Sequence, residues 1–151
     1  MPRKIISLSI VVTAVFFHFC LAHAQMAEKE KSWEKTITLP SGEVIYDLNG
    51  EWAVCSENYG PWAEYGMYPD IVEIKQEGAS FVGIRLIGNP WVPRGSEHIR
   101  GELDENGFKK IQILTGFGFL DAKGQILPWG NIGNKIIVDD GEKVRATLIR
   151  R

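Results

Sequence analysis

Cysteine and histidine are scarce in this chain, and as a whole it carries no excess of positive charge. The 151 residues contain two cysteines, Cys20 and Cys55, and three histidines. Most of these fall in the first 24 residues, which have the grammar of an export signal. Arg3 and Lys4 precede an apolar run over 5–21, and Ala22-His23-Ala24 stands before Gln25. A basic start, a hydrophobic stretch and an A-x-A pattern predict a signal peptide over 1–24 and an exported, periplasmic or extracellular protein. An uncleaved anchor is the rival reading, because the run just reaches spanning length. Phe17-His18-Phe19 before Cys20 lacks the small residues of a lipoprotein signal.

Cleavage after Ala24 leaves 127 residues, enough for one domain with a genuine core. Cys55 is then the sole cysteine, so no disulfide can form within the chain. It reads as a small, half-buried strand residue, with an intermolecular bridge as the remote alternative. His98 is the sole histidine, and one histidine with one cysteine cannot make a usual zinc set. The acidic turns Asp104-Glu105-Asn106-Gly107 and Asp139-Asp140-Gly141-Glu142 lack the spacing of a calcium loop. No metal and no cofactor are therefore expected. Losing Arg3 and Lys4 leaves 15 basic residues against 19 acidic ones. Such a chain does not suit nucleic acid, whose phosphates demand a basic surface, and gains little from anionic lipid.

Helical spacing is missing too. Residues 25–35 form a charged leader with little to bury, disordered or briefly helical. Beyond residue 40 the apolar period is two. Val72 and Ile74 alternate with Glu73 and Lys75, and Val82, Ile84 and Leu86 make the next face. Ile99 and Leu103, Ile111 and Ile113, Ile136 and Val138, then Val144, Ala146 and Leu148 continue the pattern. Alternation of this length is the signature of strands with one face buried.

Between these runs stand Asn49-Gly50, Glu77-Gly78, Asn106-Gly107 and Asp140-Gly141. Glycine in such pairs supplies the positive φ of a tight hairpin. Four hairpins follow: 43–48 with 51–56, 70–76 with 80–87, 97–104 with 108–115, and 135–139 with 143–149. The predicted fold class is all-β, a single antiparallel up-and-down meander over 36–151, closed into a barrel of about eight strands so that no edge is exposed.

Three Pro-Trp pairs now acquire a place. They are Pro61-Trp62, Pro90-Trp91 and Pro128-Trp129. Each lies in a long connection: 57–69, 88–96 or 116–134. In a meander the connections alternate between ends, so four glycine turns at one end put all three indoles at the other. Reading Asp121-Ala122-Lys123-Gly124 as a further turn adds two strands and keeps that placement. Proline stiffens the backbone that presents each indole. Tyr59, Tyr65 and Tyr68 lie in the first connection, and Phe117 and Phe119 in the third. Three uses are open to these rings: a plug for the core, a binding mouth, or insertion into a membrane surface. A mouth implies a cavity of roughly 300 Å³ or more.

Gly50-Glu51-Trp52, at the start of a strand in an exported all-β chain, resembles the Gly-x-Trp of lipocalins and related calycin barrels. The resemblance implies that Trp52 seals the closed end under an arginine from the last strand. In that family Gly-x-Trp opens the first barrel strand and the arginine comes late. Here one strand is expected before Trp52. Arg145 is the candidate partner, and Arg150 falls at the other mouth. The stretch 68–107 is also similar to small uncharacterised exported bacterial proteins, which implies no activity.

No catalytic set stands out. In a strand, Ser96 and His98 point one way and Glu97 the other, which breaks a hydrolase relay. His98 shares a face with Arg100, Glu102 and Asp104 and reads as solvent-facing. The predicted inward face is aliphatic, with no paired carboxylates. Gly116 and Gly118 precede no helix, so they cradle no phosphate. Arg85 shares a face with Phe81, Gly83 and Ile87. Placed outside, it covers apolar surface with its stem. Placed inside, it is a buried cation fit to hold an anionic group.

The expected function is non-enzymatic. A small, partly apolar or aromatic ligand would be captured at a mouth framed by Trp62, Trp91 and Trp129, with Tyr59 and Tyr65 on the rim. The alternative is a protein-interaction module, such as a periplasmic enzyme inhibitor of lipocalin-like fold.

Overall fold

The computed structural model describes residues 35–128 and 134–151. The expected signal peptide, nearly all of the expected leader, and Trp129 lie outside the described residues. Among the described residues there are ten strands: β1 Thr36–Thr38, β2 Val44–Tyr46, β3 Gly50–Asn58, β4 Met67–Glu77, β5 Ser80–Arg85, β6 Glu97–Asp104, β7 Gly107–Thr115, β8 Gly118–Pro128, β9 Asn134–Asp139 and β10 Val144–Arg150. Strands β3 to β10 form a closed barrel in which every neighbour is antiparallel. Strand β10 closes it against β3, from Val144 opposite Asn58 to Arg150 opposite Trp52. This is the all-β, eight-stranded meander that the alternation predicts. Among the described residues the one helix is a 3-10 turn, Gly60–Tyr65.

One member of the eight is exchanged for another. The segment 43–48 does not pair with 51–56. Its strand β2 pairs instead with β1, as a separate two-stranded sheet. The eighth place is filled by β8, which runs unbroken through Asp121-Ala122-Lys123-Gly124. Gly124 does not turn the chain. A Cβ there would lie 2.4 Å from the Phe108 ring, so the glycine makes room for a phenylalanine.

This exchange changes the parity of the meander. The connections 59–66, 86–96, 116–117 and 140–143 fall at one end, called here the mouth. The turns at Gly78 and Asn106-Gly107 fall at the other end, together with Gly50. The four glycine turns are thus divided, because Asp140-Gly141 lies at the mouth. Gly60, at φ +54°, approaches the 140–143 turn so closely that a Cβ would sit 2.5 Å from the Glu142 carbonyl oxygen. Pro128 and Asn134 pair with each other at the end opposite the mouth.

The closed end is sealed by the chain just before the barrel. Ile45 and Leu48 are buried in the same core cluster as Trp52. The side chain of Gln76 accepts from the Leu48 amide at 2.8 Å and donates to the Tyr46 carbonyl at 3.0 Å. The Trp52 indole donates to the Leu48 carbonyl at 2.9 Å. Arg150 lies over the Trp52 ring at 4.5 Å and donates to the carbonyls of Asn49 and Asp47. The partner of Trp52 is therefore Arg150, not Arg145. With β2 outside the barrel, Gly50 opens the first barrel strand, and antiparallel closure brings the last arginine beside it.

Faces follow the predicted alternation in most strands, with Val72, Ile74, Ile111, Ile113, Ile136, Val138, Ala146 and Leu148 all inside. Strand β5 is reversed. Phe81, Gly83 and Arg85 point inward, while Val82 and Ile84 are only half-buried. Space decides this. A Cβ at Gly83 would lie 2.8 Å from Val72 and 2.9 Å from Ile99, so the crowded side is the inside. Strand β6 holds the second departure. The register slips between Gly83 opposite Ile99 and Ile84 opposite Glu97. His98 is the extra residue of this bulge, and an extra residue breaks the two-residue period. Both His98 and Ile99 are buried, and His98 is 0% exposed rather than facing solvent. Cys55 is free and exposed, not half-buried.

Candidate functional site

Three of the four connections at the mouth present its rings, and each is bonded to itself. In 59–66, the Asn58 side chain and amide both donate to the Gly66 carbonyl, at 2.9 and 3.0 Å. Pro61 starts the 3-10 turn, and the Trp62 amide bonds the Tyr59 carbonyl. In 86–96, the Asn89 side chain accepts from the amides of Trp91 and Val92 at 2.9 and 2.8 Å, and its own amide donates to the Val92 carbonyl. This asparagine turn carries Pro90-Trp91 at its tip. The third connection is a two-residue hairpin. The Thr115 hydroxyl donates to the Gly118 carbonyl and accepts from the Phe117 amide. Gly118 takes φ +105°, and a Cβ at Gly116 would lie 3.2 Å from the Trp91 Cβ, so neither glycine of the pair that sequence reading dismissed is idle.

The rings they present meet. Trp62 and Phe117 have centroids 5.1 Å apart, Tyr65 and Trp91 5.4 Å, and Trp62 and Tyr65 6.4 Å. The Trp91 indole N–H donates to the Tyr68 hydroxyl at 3.2 Å. Beneath them opens a cavity of about 230 Å³, lined also by Ser56, Arg85, Asn89, Leu114 and Val144. That is smaller than the 300 Å³ expected of such a mouth. An apolar cavity of about 150 Å³ suffices for benzene, so this one suits a single substituted ring.

The floor is polar. Arg85 is 3% exposed, and its Nη1 donates to Asp70 Oδ2 at 2.8 Å. Asp70, also buried, accepts on its other oxygen from the amides of Ile71, Ile87 and Gly88 at 2.8 to 3.2 Å. Burial pulls the guanidinium's pKa down, and the bond to Asp70 opposes this. Arginine nonetheless stays charged. Its Nε has no partner, and neither does the buried Ser56 hydroxyl. Both ring nitrogens of His98 are also without partners. Burial first, and the Arg85 charge second, hold its pKa well below the usual histidine value, so the ring is neutral. Serine, histidine and aspartate are all inside, but no hydrogen bond links them into a relay. Among the described residues no cluster of three or more His, Cys, Asp or Glu could hold a metal ion.

The predicted rim residues separate into three groups. Trp62, Tyr65 and Trp91 line the cavity together. Tyr59 does not line it. Its hydroxyl donates to Asp139 at 2.5 Å, and Arg145 donates to the other Asp139 oxygen at 2.7 Å. This hydrogen bond, more than burial or charge, pushes the phenol up to about 12. Trp129 lies outside the described residues. Sequence reading missed Asp70 and, by taking Val82, Ile84 and Leu86 as the inner face, favoured Arg85 outside, whereas the structure buries it. The signal was the turn at Gly78, which pairs Val72 with Arg85 and so makes Asp70 its diagonal neighbour on one face.

Comparison with protein-family models, with curated proteins and with solved structures found no match.

Proposed function

We propose that this is an exported, non-enzymatic binding protein that captures a small, partly apolar ligand at the barrel mouth. One observation carries the reading: an open cavity of about 230 Å³ lies where the rings of Trp62, Tyr65, Trp91 and Phe117 converge. Rings packed as a plug would fill that volume. The N-terminal signal pattern supports export. The likeness to calycins supports a carrier role by analogy of architecture: Gly50 and Trp52 open the first barrel strand, and Arg150 stacks across the indole.

A second reading has its own support. Trp91 is 55% exposed and Phe117 69%, more than a small ligand below them would need. A protein partner seated on this rim would cover them, as expected of an inhibitor module.

Native mass spectrometry of protein purified from its own source separates the two. A retained mass of one small molecule per chain is the expected result. A stoichiometric protein partner, with the cavity empty, overturns capture in favour of the second reading.

A further inference from the structure

The floor of the cavity holds a cation with more donors than partners. A guanidinium offers five N–H groups in a planar fork. Asp70 takes one of them, from Nη1. Nη2 reaches the Leu114 carbonyl only at 3.5 Å, and Nε meets nothing. Asp70 meets the guanidinium through one oxygen only. One of its oxygens faces Arg85, and the other is occupied by three backbone amides. The pair is formally neutral, so what the guanidinium lacks is acceptors rather than countercharge, because Asp70 gives its second oxygen to the chain. His98, the remaining titratable group in the interior near Arg85, is neutral and supplies no anion. Buried donors without partners are costly, and a ligand that supplies acceptors recovers that cost. Ser56 lines the same cavity, and its buried hydroxyl also lacks a partner.

We propose that Arg85 is the anchor of an anion subsite, and that the ligand of this cavity is a small aromatic monocarboxylate. The inference rests on the capture reading above and names its ligand class. The ring is specified by the walls, where Trp62, Tyr65, Trp91 and Phe117 offer faces and edges for stacking. The carboxylate is specified by the floor, since a planar fork matches two acceptor oxygens. A single carboxylate is specified by the donors, because one guanidinium with part of its fork already on Asp70 has room for one acceptor group. The volume of about 230 Å³ admits one ring with a short acid arm.

The test is titration calorimetry of the whole protein with benzoate and phenylacetate, set against benzamide and phenylacetamide, which match them in shape without the charge. The acids bind at least about tenfold more tightly than the amides, because charge-assisted bonds are roughly twice as strong as neutral ones. Amides that bind as well as the acids overturn the anion subsite and leave capture standing. Failure of all four to bind overturns both. Arg85→Lys keeps a cation opposite Asp70 but removes the planar fork. In that variant the preference for acids falls below about threefold; full preference there overturns the assignment to Arg85. The comparison of probes on the unaltered protein decides the matter even where the variant does not fold.

Discussion

The two ends of the barrel use tryptophan in opposite ways. At the closed end Trp52 is 0% exposed, its N–H bonded to the Leu48 carbonyl and its face covered by Arg150. At the mouth Trp91 is 55% exposed, its N–H bonded to the Tyr68 hydroxyl. The chemistry of the side chain is the same. What differs is the cover. The segment before β3 lies across the closed end and completes its core, while the mouth has only short turns that stand around a gap. An indole under cover is structure, and an indole on a rim is surface available to a ligand.

The sharpest way to break this contrast is to truncate one indole at a time. Trp52→Ala is expected to cost about 3–5 kcal/mol in denaturant unfolding, as for other buried aromatics. Trp91→Ala should cost less than about 1 kcal/mol, since surface changes have small effects. Equal losses would mean that the mouth rings are core after all. Asp70→Ala comes next. It leaves the Arg85 charge buried without a partner, and about 3 kcal/mol of destabilisation is expected by the same measurement. A neutral outcome would show that water reaches the floor freely.

Acid tests the interior more gently. His98 has a depressed folded-state pKa, so its contribution is intact above the unfolded value of about 6.5 and drains away as pH falls below it. The expected slope is about 1.4 kcal/mol per pH unit below pH 6.5, absent in His98→Leu. Unfolding curves at several pH values check it. The smallest effect is at Tyr59, on the outer side of the mouth. Its folded-state pKa is raised to about 12, so what the contact contributes is whole below about pH 10 and is lost as pH rises to about 12. Ultraviolet titration should show a late phenolate that disappears in Tyr59→Phe.

Much of the architecture was legible because a barrel strand needs only alternation. The faces of β4, β7, β9 and β10 follow from it directly. The errors have local causes. Gly124 looks like a turn residue but serves the Phe108 ring, and only the packed structure shows the ring. Strand β5 carries apolar residues on both faces, so hydrophobicity alone could not orient it. His98 sits in a bulge, which no two-residue period can foresee. One strand miscounted before Trp52 moved Arg150 to the wrong end and Asp140-Gly141 away from the mouth. At the site, the convergence of Trp62, Tyr65 and Trp91 was legible from connection parity. The Asp70–Arg85 floor was not, because it depended on the face of β5.

From its residues alone this chain is an alternating, glycine-punctuated all-β meander, since the two-residue period and the turn chemistry act over a few neighbours. Closure was decided only in three dimensions. Which glycines turn the chain, which face of β5 looks inward and which end stays open depend on register and space between strands distant in sequence, and those are settled when β10 meets β3 and the core is filled.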